Sequence, residues 1–327
     1  MRLDDSYGLA LRLYPQSPTL PASPGPLCGL YLGAIRSAVH APVVTTLYTN
    51  FIASLDGRIS LEPVSGGCRV PASITNPRDW RLFQELAAQA DCLITTGRYL
   101  REWASGCAQA PLPLDSDRYP DLAQWRQQAG LPPQPDVAVV STGKACPIPQ
   151  EWIEQGRRIW LFLPAGRACE VRVGNRPVCP SPADRSGPTA NTAHTGGTDN
   201  GTTNSGVGIG AHYSGTRLRG RLLRETLSAL GYRCIYSVAG PRIAHTLIAD
   251  AALDTLFVTT RHQLLGGNSG TFETLLEGEA LRPTQSWPLT WLYLDVSNNG
   301  AAAAEEGAGQ HFARYDRKES GRRDDDS

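Results

Sequence analysis

The stretch Tyr48 to Ser60, Y-T-N-F-I-A-S-L-D-G-R-I-S, decides how this chain is read. Tyr48, Asn50 and Ile52 alternate with Thr49, Phe51 and Ala53, the period-two pattern of a strand whose two faces meet different surroundings. Past Ser54 the chain turns. Leu55-Asp56-Gly57-Arg58 sets a glycine, which enters left-handed conformations at little cost, between a carboxylate and a guanidinium. A strand that ends in a small polar loop is where α/β proteins tend to bind ligands.

Outward from that strand, Thr75-Asn76-Pro77-Arg78-Asp79 reads as a helix start, with Asn76 as N-cap, Pro77 in the first position and Asp79 near the positive end of the helix. Trp80, Phe83, Leu86, Ala87 and Ala90 then form its apolar face. Strand and helix patterns go on alternating. Cys92 to Thr96 reads as a strand ending at Gly97, Asp121 to Ala129 as a helix stopped by Gly130, and Val137 to Ser141 as a strand. Gln150 to Gln155 is a short helix, Arg158 to Leu163 a strand, and Leu218 to Leu230 a helix closed by Gly231. Cys234 to Val238 is a strand that breaks at Ala239-Gly240-Pro241-Arg242 into a helix, and Leu256 to Thr260 is the next strand. This order predicts an α/β fold with a mostly parallel sheet and helices on both faces. Leu289 to Val296 and His311 to Tyr315 follow without an intervening helix, which predicts a C-terminal antiparallel hairpin.

The first 42 residues, rich in Pro, Ser and Gly, are expected to form an irregular arm with a short turn near Leu27 to Leu32. Residues 43–317 are expected to form one domain. Within it, about 174–216 collapses into Gly, Thr, Ser, Asn and Pro, too few large apolar side chains to offset the entropy of ordering, and a disordered insertion is expected there. The spacer Asn298 to Gly309 and the tail at 318–327 are expected to be flexible.

The 327 residues carry 31 Lys plus Arg against 31 Asp plus Glu, so no net field draws the chain to nucleic acid or to an anionic membrane. No apolar run approaches the roughly 20 residues of a membrane span, and the start lacks a signal-peptide layout, so a cytoplasmic protein is expected. Eight cysteines occur without a C-x-x-C pair, so no metal site is expected, and Cys92 and Cys234 sit within strand patterns as small hydrophobes. His194 and His212 fall in the polar insertion, where solvated loop histidines are the simpler reading. Arg217, Arg219, Arg221 and Arg224 spread round the polar side of their helix with Glu225 among them, which favours a solvated basic face over a phosphate site.

Three strand ends offer small residues where a ligand can approach the backbone: Ser54 to Gly57, Thr95 to Arg98, and Ala239 to Arg242. The third is the best phosphate candidate, because a Gly-Pro step into a helix presents free N–H groups at the positive end of the helix dipole, with Arg242 adding charge. Asp56 has two readings. It steers a proton or a polar substrate group, or it forms an Asx-type turn with the backbone of Gly57 or Arg58.

The opening stretch resembles the N-F-x-A-S-L-D-G-[RK]-I that begins the reductase domain of riboflavin biosynthesis, part of the dihydrofolate-reductase-like superfamily and often fused to a zinc deaminase. Ala90 to Arg101, A-D-C-L-I-T-T-G-R-Y-L-R, is similar to the family's A-D-A-I-L-V-G-x-x-T-V-R. Ile235 to Leu247, I-Y-S-V-A-G-P-R-I-A-H-T-L, is similar to V-E-G-G-P-x-L, and Leu253 to Gly267 carries L-D-T-L-F-V-T-T and L-L-G-G like the family's V-D-E-L-x-L-T and L-L-G-G. The four segments stand in family order over about residues 45 to 317. The resemblance implies a dihydrofolate-reductase-like fold and an oxidoreductase that uses NADPH to reduce a ribosylamino-pyrimidine or related heterocycle, with no covalent nucleophile. It places Ala53, Ser54, Thr95, Thr96, Gly97, Arg98, Gly240, Pro241, Arg242 and Ile243 at the cofactor. Asn50, Asp56 and Arg58 fall at the substrate, with Asp56 as the catalytic candidate, and a homodimer is in keeping with the family.

The chain also departs from the family. Val238 and Ala239 stand where it has Glu and Gly before Gly-Pro, Ala87 stands where it often carries Arg, and no D-[DN]-P-x-L-x-x-R follows Arg101. The deaminase motifs H-A-E and P-C-x-x-C do not occur. The alternatives are therefore a non-catalytic nucleotide-binding or regulatory member of the fold, or a reductase of a different heterocycle.

Overall fold

The computed structural model describes residues 7–16, 23–39, 42–62, 70–108, 114–165, 167, 169–174, 176–178, 209–214, 218–296 and 309–318. Within them the strands are β1 (Leu9–Tyr14), β2 (Gly25–Pro26), β3 (Thr46–Ser54), β4 (Arg58–Leu61), β5 (Cys92–Thr96), β6 (Asp136–Val140), β7 (Cys146–Ile148) and β8 (Ile159–Pro164). They continue with β9 (Val171–Val173), β10 (Arg176–Val178), β11 (Ile209–Ser214), β12 (Cys234–Ser237), β13 (Thr255–Arg261), β14 (Phe272–Thr274), β15 (Leu289–Asp295) and β16 (Gln310–Asp316). The helices are α1 (Pro77–Gln89), α2 (Gly97–Ala104), α3 (Pro120–Gln128), α4 (Gln150–Glu154), α5 (Gly220–Ala229) and α6 (Pro241–Ala249).

An 11-stranded sheet runs β11-β8-β6-β5-β12-β3-β13-β16-β15-β1-β2. From β11 to β13 all neighbours are parallel, and from β13 onward all are antiparallel. The parallel sheet and the C-terminal hairpin of β15 and β16 are as the sequence predicts. β3 lies at the centre, where its alternation is used on both faces: Tyr48 packs with Leu86 of α1, and Phe51 and Ala53 pack with Ala244 of α6. Leu47, Ile235 and Ile94 meet Leu223, Leu227 and Leu247 of α5 and α6. Helices therefore cover both faces, as parallel strands buried on two sides require.

The N-terminal arm is more ordered than expected. β1 pairs antiparallel with β15 and β2 with β1, so the arm finishes the sheet. Leu27 and Tyr31 are buried in the core. Two buried polar residues of α1 explain how the arm is held. Glu85 accepts the N–H groups of Gly29 at 2.6 Å and Tyr31 at 2.9 Å, and Gln89 accepts those of Ile35 at 2.9 Å and Arg36 at 3.2 Å. Each satisfies backbone donors that burial would otherwise leave unpaired.

The expected insertion at about 174–216 is ordered at both ends. β10 makes an antiparallel hairpin with β9, and β11, which contains His212, pairs in parallel with β8 at the sheet edge. Main-chain pairing gives these segments a place despite their small, polar composition. The middle of that segment, with His194, lies outside the described residues, as do most of the spacer before β16 and the tail from 319. Among the described residues no helix is long and apolar enough to cross a membrane.

Candidate functional site

The candidate site is created by a short strand between two longer ones. β12 ends at Ser237, in register with Thr49 of β3 and Ile94 of β5. β3 continues to Ser54 and β5 to Thr96. A notch therefore opens at the carboxyl end of the sheet where β12 stops. Two helices begin at its rim. α2 starts directly after β5, with Thr96 as its N-cap accepting the Tyr99 N–H at 3.2 Å, and α6 starts at Pro241, with three residues between it and β12 and Gly240 as N-cap. Both direct the positive ends of their dipoles toward the notch. A Cβ built on Gly240 would meet nothing within 4 Å, so the backbone there is open to close approach.

On the β3 side of the notch, the Asp56 carboxylate is heavily engaged. It accepts the Ser54 hydroxyl at 2.5 Å, the N–H groups of Leu265 at 3.2 Å and Gly266 at 2.9 Å, and an ion pair from Arg58. Desolvation works upward on its carboxyl, but the hydrogen bonds from Ser54, Gly266 and Leu265, with the Arg58 charge, outweigh it and hold the group at about 2. The Arg58 guanidinium also lies over the Phe272 ring, 4.2 Å from its centre. Gly57, at φ 78°, makes the turn between them possible. Asp56 is thus a carboxylate bound by two loops and a cation. It does not form the Asx-type turn with the backbone of Gly57 or Arg58, the second of its two readings.

A second group of polar side chains lies on the α1 face of the same strand ends. The Tyr236 hydroxyl donates to Asn50 Oδ1, and the Tyr236 ring stacks on Tyr48 at 4.9 Å. Asp79, in the first turn of α1, has its Oδ1 shielded from solvent and without a hydrogen bond among the described residues, although the residue as a whole keeps part of its surface. Burial pushes its carboxyl up to about 6, against the pull of the Thr259 hydroxyl and the Arg261 guanidinium. Arg261 is buried at the end of β13, in register with Ser54. A shielded acid that titrates near neutrality beside strand-end polar groups has the character of a proton-handling residue.

The remaining sequence candidates divide by what holds them. Thr95 is buried, and Gly97 packs so closely on Ser141 that a Cβ would come 2.8 Å from its hydroxyl. Ala53 and Ile243 spend their side chains on the core, leaving only backbone at the rim. Arg98 is turned to solvent and ion-paired with Glu102 at 2.6 Å, and Arg242 is exposed on α6. A large cavity of about 1130 Å³ lies elsewhere, lined by Arg219, His245, Asp250 and Arg282. It shares no residue with the notch. Among the described residues no cluster of three or more His, Cys, Asp and Glu is placed to hold a metal ion.

Compared by structure, the molecule superposes on a pyrimidine reductase-like protein from Corynebacterium diphtheriae with a TM-score of 0.55 and 14% identity, over 90% of this chain and 99% of the other. The chain has the fold of this pyrimidine reductase-like protein. RibD from Acinetobacter baumannii superposes at 0.45 and 13% identity, over 84% of this chain and 58% of that one. Dihydrofolate reductase from Enterococcus faecalis, complexed with NADP(H), superposes at 0.38 and 14% identity, over 84% and 97%. By sequence, the chain matches no family model and no curated protein.

In this pyrimidine reductase-like fold, the sequence candidates at the ends of β3, β5 and β12 converge on one edge. Asp79, Thr259, Arg261 and Tyr236 were not among them. A signal for Asp79 was present: it falls on the same helical stripe as Phe83, Leu86 and Ala90, four, seven and eleven positions on. Its place in the first turn, after Asn76 and Pro77, equally suits a carboxylate at the positive end of a helix.

Proposed function

We propose that the notch binds NADPH and that the chain reduces a pyrimidine-linked or related heterocyclic substrate lying between it and α1. The observation that carries this reading is the early end of β12, which brings the N-termini of α2 and α6 to one crevice at a topological break in the sheet. The residues fit such a cofactor. The open backbone at Gly240 suits a pyrophosphate, and Thr96, Gly97 and Pro241 line the two helix starts. Bound there, NADPH would supply a hydride.

The chain's own residues do the rest. Asn50, held by the buried Tyr236 hydroxyl, orients a polar ring edge, and Asp79 holds a proton near neutral pH close to Tyr236. Asp56 serves as a positioning residue that fixes the loops around the site, with Arg58 aligned beside it. The similarity in fold to a pyrimidine reductase-like protein, together with the four ordered sequence segments, supports the substrate class. Val238, in place of the family's Glu, favours a second reading in which the chain binds the nucleotide without turning it over.

A fluorescence titration with NADPH and, separately, NADH tests the reading, followed by NADPH consumption with ribosylamino-pyrimidines. Saturable binding and consumption support it. Binding without consumption by any such substrate selects the second reading, and no binding of either nucleotide overturns both.

A further inference from the structure

Outside the candidate site, the turn between β6 and β7 gathers two thiols around one carbonyl. Cys146 opens β7 and Cys169 stands two residues before β9, the parallel neighbour of β7, with the Cys146 N–H donating to the Glu170 carbonyl at 2.9 Å. The Lys144 carbonyl oxygen lies 2.8 Å from Cys169 Sγ and 3.5 Å from Cys146 Sγ, and it also meets the Ser141 hydroxyl at 3.5 Å. Both cysteines are free thiols, Cys146 buried and Cys169 partly exposed. A shallow cavity of about 390 Å³ is bordered by Arg101, Arg172 and the cysteines' chain neighbours Ala145, Pro147 and Glu170, and neither cysteine lines it.

We infer that Cys146 and Cys169 form a reversible dithiol–disulfide site that a small anionic disulfide, such as glutathione disulfide, oxidises. The two sulfurs share one carbonyl and are joined by a thiol–thiol hydrogen bond, with Cys169 two residues ahead of Val171, the strand partner of Cys146. The chemistry of the pair agrees. A hydrogen bond from Cys169 holds the Cys146 thiol down at about 7 against desolvation, with help from Ser141 and the Arg101 charge, while the same contact raises Cys169. The first proton therefore leaves the pair readily.

In the oxidation, that proton goes to solvent and the proton of Cys169 shifts to Cys146 across the hydrogen bond. The partly exposed Cys169 thiolate then attacks the external disulfide, forming a mixed disulfide and releasing one small thiolate, which takes a proton. Cys146 next loses its proton, attacks Cys169 Sγ and expels the second small thiol. Two protein thiols and one disulfide become one protein disulfide and two small thiols, with two electrons passing to the oxidant. Arg101 at the cavity suits a carboxylate of such a reagent, while Arg172 is ion-paired with Glu170 at 2.6 Å.

The site is joined to α2. Arg101 donates to the Ala145 carbonyl at 3.1 Å, and Ser141 packs against Gly97, so the turn bearing Cys146 and the start of α2 share contacts.

The test treats the full chain with glutathione disulfide, blocks the remaining thiols and maps cysteine peptides by mass spectrometry, for the wild type, Cys146→Ser and Cys169→Ser. The expected result is loss of two thiols to a Cys146–Cys169 cross-link, restored by a reducing thiol. Cys146→Ser should stop at a glutathione adduct on Cys169, and Cys169→Ser should leave Cys146 unmodified. Hydrogen exchange on the wild type should change at Gly97 to Arg101 on oxidation. A pair that stays alkylatable while the exposed Cys107 is modified, or a Cys169 adduct that never resolves onto Cys146, would overturn the inference.

Discussion

The Asp56 carboxylate accepts the Gly266 amide at 2.9 Å, and that bond fastens the turn between β3 and β4 to the loop that follows β13. With Leu265 bonded to the other carboxylate oxygen and Arg58 paired beside it, one side chain sets the spacing of two loops at the sheet edge. Removing the carboxylate should loosen those loops and leave the core alone. In Asp56→Ala, amide exchange at Leu265 and Gly266 should accelerate by about tenfold or more, while amides of α1 keep their rates, because opening is local rather than global. The folded carboxyl sits at about 2, below the unfolded value of about 3.9. Its contribution is therefore present above pH ~4 and lost as pH falls through ~2. Unchanged exchange at both amides in the variant would contradict the clamp.

Asp79 should behave in the opposite sense. Its folded carboxyl lies at about 6, above the unfolded value of about 3.9, so its contribution to stability is present below pH ~4 and is lost as pH rises through ~6. Asp79→Asn removes the cost of holding a buried charge and should be more stable than the wild type at pH 8 by about 1–3 kcal/mol, the range set by a shift of roughly two pH units. At pH 4 the difference should vanish. Urea unfolding at the two pH values checks the sign, and on the proposed reading the same variant consumes NADPH more slowly.

Gly220 tests how α5 and α6 pack. Replacing a glycine in a helix with alanine gains about 1 kcal/mol from propensity alone. Here a Cβ would come 2.9 Å from both Leu247 Cα and the Thr246 carbonyl oxygen, backbone atoms that cannot swing aside. Overpacking of this kind costs about 1–3 kcal/mol, so Gly220→Ala should destabilise the protein by up to about 2 kcal/mol net. A denaturation midpoint at or above the wild type would show that the helices part freely.

Much of the parallel sheet was legible because its signals are local. The alternation of Tyr48 to Ala53, the Asn76-Pro77 start of α1 and the Gly240-Pro241 break each sit within a few residues. What was not legible depends on distant partners. β1 reads as part of a Pro-rich arm because what orders it is β15, near the other end of the chain. In β11, Ile209, Ala211 and Tyr213 alternate with Gly210, His212 and Ser214, but the surrounding Gly, Thr and Ser outweigh the pattern in any average over the segment. The role of Asp79 needed burial, which no spacing fixes, and the many hydrogen bonds of Asp56 required the Leu265-Gly266 loop to be folded against it.

On the proposed reading the notch beside β12 takes a dinucleotide, and a calorimetric titration of NADPH into the wild type and into Gly240→Asp reads this out. Gly240 has ordinary φ and open space around it, so an aspartate fits without strain and alters chiefly the charge at the start of α6. The account predicts saturable binding by the wild type and a loss of at least about tenfold in affinity for Gly240→Asp at unchanged thermal stability, because a carboxylate there repels the phosphates. Equal affinity in the two proteins, or no binding by a folded wild type, would contradict it.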